Sequence, residues 1–154
     1  IEREWISGKD IVEYCQEFFG HKLSDIDFSV SQSFKCFQVY DQRARIYPVF
    51  INLLNNSLYW IRQKDQSLLK IMLDVVDGKV VVADNGTGVY PDDIKNLFTI
   101  FFTKKTRGGR GVGLYLCRRN LASSGHQINY AIEEKMQVLN GANFVIDFKG
   151  KKHG

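Results

Sequence analysis

The sequence predicts an α+β fold, a two-layer α/β sandwich whose mixed sheet is covered on one face by helices. Three observations predict it. Stretches of helical apolar spacing interleave with stretches that alternate. Asp77-Gly78 lies between two apolar runs as a hairpin signal. Val80-Val81-Val82-Ala83 is apolar on both faces, as a buried central strand would be. A sheet with helices on one side is the two-layer solution for such an order.

Each element has its own reason. Ile11, Val12, Cys15, Phe18 and Phe19 recur at helical steps within a helix expected from Ile6 to Phe19. Ile26, Phe28 and Val30 alternate, so a short strand is expected at 26–30, and another at Phe34–Val39. Ile46, Val49, Phe50, Leu53, Leu54, Ser57, Leu58 and Ile61 share one helix face. Asp41 is expected to cap that helix, with Pro48 in its first turn or at a kink. Leu69–Val75 and Lys79–Ala83 form the hairpin pair. A short helix at Asp92–Phe98 follows Pro91, and a longer one runs from Val112 to Ser123. Strands at about Gln127–Glu133 and Ala142–Phe148 close the chain.

The chain has 154 residues, about one domain's worth, with 44% hydrophobic and 25% charged residues. With no linker or repeat, residues 1–150 read as one domain and 151–154 as a basic tail. The apolar content excludes disorder as the main state. A net charge of +4 is too small to imply a nucleic-acid partner. Three scattered cysteines point to a reducing compartment, here the cytoplasm, rather than a disulfide framework. No run is long enough to span a membrane, so no direct membrane contact is expected of this piece. The first residue is Ile1 and no signal segment opens the chain, which reads as a piece of a longer protein.

Three motifs carry chemistry. Asp84-Asn85-Gly86-Thr87-Gly88 ends the buried strand, where a carboxylate is costly unless something pairs with it. Its glycines let backbone approach a flat ligand, and its carboxylate can accept from the exocyclic amine of adenine. The same pentapeptide also reads as a strand-end turn in which Asp84 supports its own backbone. Gly109-Arg110-Gly111-Val112-Gly113-Leu114 stands before a helix, where free N–H groups and the helix dipole can cradle phosphate. It is neither a P-loop nor a dinucleotide fingerprint. Lys104, Lys105, Arg107 and Arg110 could neutralise a triphosphate there, or form a solvated face. Asn52, Asn56 and Trp60 share one edge of the apolar-faced helix. Asn is poor in a helix interior, and its carboxamide oxygen suits the hard ion Mg²⁺. Core-edge amides satisfied by backbone are the plainer alternative.

The joint order is more specific than its parts: an Asn-rich helix, a strand ending in Asp-x-Gly-x-Gly, a basic segment, then Gly-x-Gly-x-Gly and a helix. Over residues 7–148 the chain resembles the GHKL ATPases of the Bergerat fold, most of all the ATP-binding catalytic domains of bacterial sensor histidine kinases. The resemblance implies that Asn52–Ser57 is the N box, with Asn56 the Mg²⁺ ligand. Asp84, Gly86 and Gly88 match the first glycine box, with Asp84 the adenine anchor. Leu97-Phe98 and Phe101-Phe102-Thr103 match the phenylalanine box. Lys105 matches a phosphate-facing lysine. Gly109, Gly111 and Gly113, with Val112 and Leu114, match the second glycine box at the ATP lid. Gly141-Ala142-Asn143-Phe144 matches the last strand's pattern, with Asn143 where Thr is usual. Pro48 stands where Gln is common, and the lid is short.

The resemblance implies binding of ATP and Mg²⁺ and transfer of the γ-phosphoryl group to a His on a dimerisation domain, with a response regulator downstream. Asn52, Asn56 and Lys105 would be the catalytic set. Chaperone, gyrase and mismatch-repair members carry a water-activating Glu at the position of Asn52, and its absence favours transfer to a partner side chain over hydrolysis. His21, His126 and His153 match no acceptor motif, and His126, after Gly125, reads as a surface residue. The acceptor is therefore expected outside this piece. The alternatives are a GHKL module that uses ATP to drive conformational change, a nucleotide sensor without catalysis, and, last, a nucleic-acid-binding domain.

Overall fold

The structure, a computed structural model, describes residues 2–104 and 111–153. Two sheets organise them. The larger contains β2 (Asp27–Val30), β4 (Lys70–Val76), β5 (Lys79–Asp84), β7 (Asn143–Asp147) and β6 (Gln127–Tyr130), in that spatial order. Only β2 and β4 are parallel; the other neighbours are antiparallel. The smaller sheet is β1 (Glu4–Ser7), β3 (Phe37–Asp41) and β8 (Lys152–His153), all antiparallel. The helices are α1 (Gly8–Phe19), α2 (Gln32–Cys36), α3 (Arg43–Ile61) and α4 (Gly113–Ala122).

The β4–β5 hairpin turns at Asp77 (φ 49°) and Gly78 (φ 74°), the pair of positive φ values that matches strand twist in a two-residue loop. Period two then divides β5 between two faces. Val80 and Val82 join the main core with Ile46, Val49, Phe50, Leu53 and Leu54 of α3. Val81 and Ala83 face the other way, onto Ala131 and Met136. Helices thus cover one face as predicted, and the opposite face of β5 is sealed by the segment after β6, which includes a 3₁₀ turn at Glu134–Met136.

Several boundaries differ from those the sequence predicts. The first helix starts at Gly8, because Ser7 and Asp10 form a capping box with bonds of 3.0 and 3.1 Å. Ile6 belongs instead to β1. Ser31 caps α2 through the Phe34 N–H at 3.1 Å, so part of the expected strand at Phe34–Val39 is helical. Pro48 lies in the second turn of α3, where it has no N–H for the Ala44 carbonyl. The expected helix at Asp92–Phe98 is a 3₁₀ turn at Pro91–Asn96. Of the tail, Lys152–His153 forms β8, and the Lys152 ammonium sits 4.0 Å from the Trp5 ring centroid.

Two residues correct the reading most. Asp41 does not cap α3, whose N-cap is Gln42. His126 is not a surface residue; it is 3% exposed. They form a buried pair, His126 Nε2 to Asp41 Oδ2, at 2.8 Å. His126 Nδ1 accepts from the Lys149 N–H at 2.9 Å, which puts the ring proton on Nε2, donating to Asp41. Burial works against the Asp41 charge, but the Gln42 N–H and His126 together hold its carboxyl below the usual carboxylate range.

Candidate functional site

A cavity of about 710 Å³ opens between α3, the segment after β5, the phenylalanine-rich loop and the start of α4. Its size is that of a small-molecule site. From α3 come Asn52, Asn56 and Trp60, the three residues the helical period puts on one edge, together with Asn55. From the β5 side come Gly88 and its neighbours Thr87, Val89 and Tyr90. Thr103 and Phe102 line it from the loop, and Gly111, Val112, Gly113 and Leu114 from the start of α4. Lys105 and Gly109 lie outside the described residues.

Asp84 is fully buried and does not form part of the cavity lining; it closes β5 just ahead of the Thr87–Pro91 wall. Its Oδ1 accepts from the Gly86 N–H at 2.9 Å and the Ala142 N–H at 3.2 Å. Its Oδ2 has no hydrogen-bond partner; the Ser57 hydroxyl lies near enough to favour the charge without completing a bond. Burial raises the Asp84 carboxyl above its ordinary range, and the two N–H donors offset part of that. An acceptor left open at this depth is costly unless a donor arrives from outside the protein.

The glycines divide the work. A Cβ on Gly86 would lie 2.8 Å from the Trp60 carbonyl carbon, so this glycine lets the end of α3 close onto the strand, and it does not itself line the cavity. Gly88 adopts φ +75° and turns the chain into the cavity wall. Gly111 adopts φ +71°, and a Cβ there would lie 2.3 Å from the Phe101 carbonyl carbon. Phe101, itself at φ 67°, donates its N–H to the Gly111 carbonyl at 2.8 Å. The phenylalanine loop and the glycine segment are thereby joined at the cavity rim.

The helix edge is held from behind. The Cys117 thiol of α4 donates to the Val49 carbonyl at 3.6 Å and contacts Asn52. Burial pushes that thiol up to about 12, so it stays protonated and serves packing. On the far side, the Arg118 guanidinium covers the Phe98 ring at 4.0 Å and donates to the Ile128 carbonyl, fixing the residue after Leu97. Asp93, to which the sequence reading gave no role, lines the cavity together with Lys104, one of the cations it offered to a triphosphate, and the two lie 3.8 Å apart. The signal for Asp93 was faint, since it reads as an ordinary first-turn acid after Pro91.

The cavity thus brings together the carboxamide edge of α3 and the N-terminus of α4, and the buried Asp84 carboxylate closes β5 just ahead of one of its walls. The chain belongs to the family described as histidine kinase-, DNA gyrase B-, and HSP90-like ATPases, whose sequence profile matches residues 41–152. Within that family its relatives are sensor kinases, and it is an ATP-binding domain of the histidine-kinase type. It is 26% identical over 129 residues to the CAI-1 autoinducer sensor kinase/phosphatase CqsS of Vibrio cholerae, covering 81% of this chain and 18% of that protein. It is 31% identical over 114 residues to the C4-dicarboxylate transport sensor protein DctB of Rhizobium meliloti, covering 73% of this chain and 17% of that protein. The chain therefore spans less than a fifth of these relatives. Among solved structures, the catalytic domain of histidine kinase ThkA aligns with a TM-score of 0.73 at 25% identity, covering 96% of this chain and 95% of that one. The mycobacterial sensor histidine kinase MprB shares the fold at a TM-score of 0.74 and 20% identity, covering 93% and 95%.

Proposed function

We propose that this domain binds Mg-ATP in the 710 Å³ cavity and presents the γ-phosphoryl group to a histidine on a dimerisation helix pair outside this chain. A response regulator would then receive the group. The observation that carries the reading is the unpaired Oδ2 of buried Asp84, an acceptor that the 6-amino group of adenine would satisfy. Trp60 offers a ring beside the base. Lys104 and the start of α4 (Gly111 to Leu114) face the phosphates, with Lys105 and Gly109 assigned there by resemblance.

The donor set fits a magnesium ion. Asn56 offers a neutral carboxamide oxygen at the cavity edge, and a hard cation with several waters and phosphate oxygens needs little more. When bound, the ion would neutralise charge on the phosphates. The protein's own part is to orient the nucleotide and exclude water, which is most of what phosphoryl transfer requires.

Asn52 favours transfer over hydrolysis. A carboxamide cannot take a proton from water as a carboxylate can. The reading that ATP drives conformational change through turnover in this domain alone therefore has less support. The test is γ-labelled ATP with this domain joined to a phosphoacceptor helix pair. The expected product is an acid-labile, base-stable label on a histidine. Release of free phosphate at the same rate without the acceptor would contradict the reading.

A further inference from the structure

We infer that Asn143 is a positioning residue that locks the Leu139–Gly141 loop against Asp84 and thereby sets selectivity for a purine bearing a 6-amino group. The inference rests on the nucleotide reading above and deepens it. Asn143 is 2% exposed, and its carboxamide is spent on one loop. Oδ1 accepts from the Leu139 N–H at 3.1 Å. Nδ2 donates to the Leu139 carbonyl at 2.8 Å and to the Gly141 carbonyl at 3.3 Å. The side chain thus acts through backbone; its bonds are used up within the protein.

That backbone is what holds the Asp84 carboxylate. Ala142 supplies one of the two N–H groups on Oδ1, at 3.2 Å. The Gly141 N–H donates to the Asp84 carbonyl, and the Asp84 N–H to the Ala142 carbonyl, each at 2.9 Å. The approach is close enough that a Cβ on Gly141 would lie 2.5 Å from both the Asp84 carbonyl oxygen and the Gly86 nitrogen, and 2.6 Å from Oδ1. A Cβ added to Gly88, in the cavity wall, would come within 3.8 Å of the same Gly141. The Ala142 bond is already at the long end for N–H···O, so a shift of a few tenths of an ångström in the loop would release it. The carboxylate would then be free to turn about its remaining Gly86 bond, and the unpaired Oδ2 would no longer be held in one place.

A threonine at this position could not replace the clamp. One hydroxyl has a single donor and cannot serve Leu139 N–H and two carbonyls together. An aspartate would keep the shape but place an oxygen against the Leu139 and Gly141 carbonyls.

The experiment compares ATP with purine riboside triphosphate, which lacks only the 6-amino group, by competition binding to the wild-type domain, Asn143→Thr and Asn143→Asp. The wild type is expected to prefer ATP by about tenfold or more, the scale of one charge-assisted hydrogen bond. Both variants are expected to bind the two nucleotides with a ratio near one, while affinity for the analogue changes by less than about threefold. A variant that melts cooperatively and keeps the wild-type ratio overturns the inference, because a merely structural role would alter the folded fraction and leave the ratio alone. If one variant does not fold, the other decides. A wild-type ratio near one has a different meaning: it defeats the adenine role of Asp84 itself, and the inference with it.

Discussion

Asp84 shows how a single side chain can be stabilised and strained together. Two N–H groups hold Oδ1, nothing completes Oδ2, and burial raises the carboxyl above its ordinary range. A raised folded-state value means that the unliganded domain loses stability as pH climbs from the unfolded carboxylate range through the folded value. Asp84→Asn keeps an acceptor at Oδ1 and removes that titration. Thermal unfolding without nucleotide is therefore expected to favour Asp84→Asn, relative to wild type, increasingly as pH rises from about 4. A deficit in the variant that grows with pH would show that the ionised carboxylate stabilises the empty fold. The substitution also turns a donor toward the adenine amine, so the same protein is expected to lose ATP binding.

At the scale of elements, α3 carries two faces with separate duties. Its apolar face fills the core, and its Asn52–Asn56–Trp60 edge lines the cavity. Asn56→Ala should leave the melt nearly unchanged while removing the part of ATP affinity that depends on Mg²⁺. Titrations with and without the ion check this; equal loss in both would mean that Asn56 contacts the nucleotide directly. The second element-scale expectation concerns the 2.8 Å tie from the end of β3 to the turn before β6. His126→Ala leaves the Asp41 charge buried with one partner fewer and is expected to cost roughly 2–4 kcal/mol in denaturant unfolding. Because the Asp41 value is lowered, its contribution is present above the unfolded carboxylate range and lost as pH falls through the folded value. Asp41→Asn should therefore flatten the acid side of the stability curve below about pH 4; an unchanged slope would place the acid sensitivity elsewhere.

The same elements show what could be read in the chain and what could not. The core face of α3, the hairpin and the buried β5 were legible because each rests on a local period or a two-residue turn. The Asn edge was legible because helical spacing alone puts residues 52, 56 and 60 together. β1 was hidden because its pairing with β3 is non-local, and α2 because one capping serine outweighs the strand preference of its neighbours. His126 was misjudged because its partner lies 85 residues away in sequence. The clamp at Asn143 was visible only as a departure from a familiar pattern. Its meaning needed the loop's coordinates.

At the scale of the whole molecule, the helix layer and the main sheet meet around one core, and the cavity sits where α3, the end of β5 and the start of α4 converge. Among the described residues, no helix is long and apolar enough to cross a membrane, and Cys15, Cys36 and Cys117 are all free. The arrangement puts the carboxamide edge of α3 and the N-terminus of α4 around one void, with the buried Asp84 at the end of the strand that leads into its wall. The most direct measurement is calorimetric titration of Mg-ATP into the wild-type domain and Asp84→Ala. The account predicts saturable one-site binding in the wild type and a loss of at least ~1.5–3 kcal/mol in the variant, with its cooperative melt intact. Equal affinity in the two proteins, or no binding by the wild type, would contradict it.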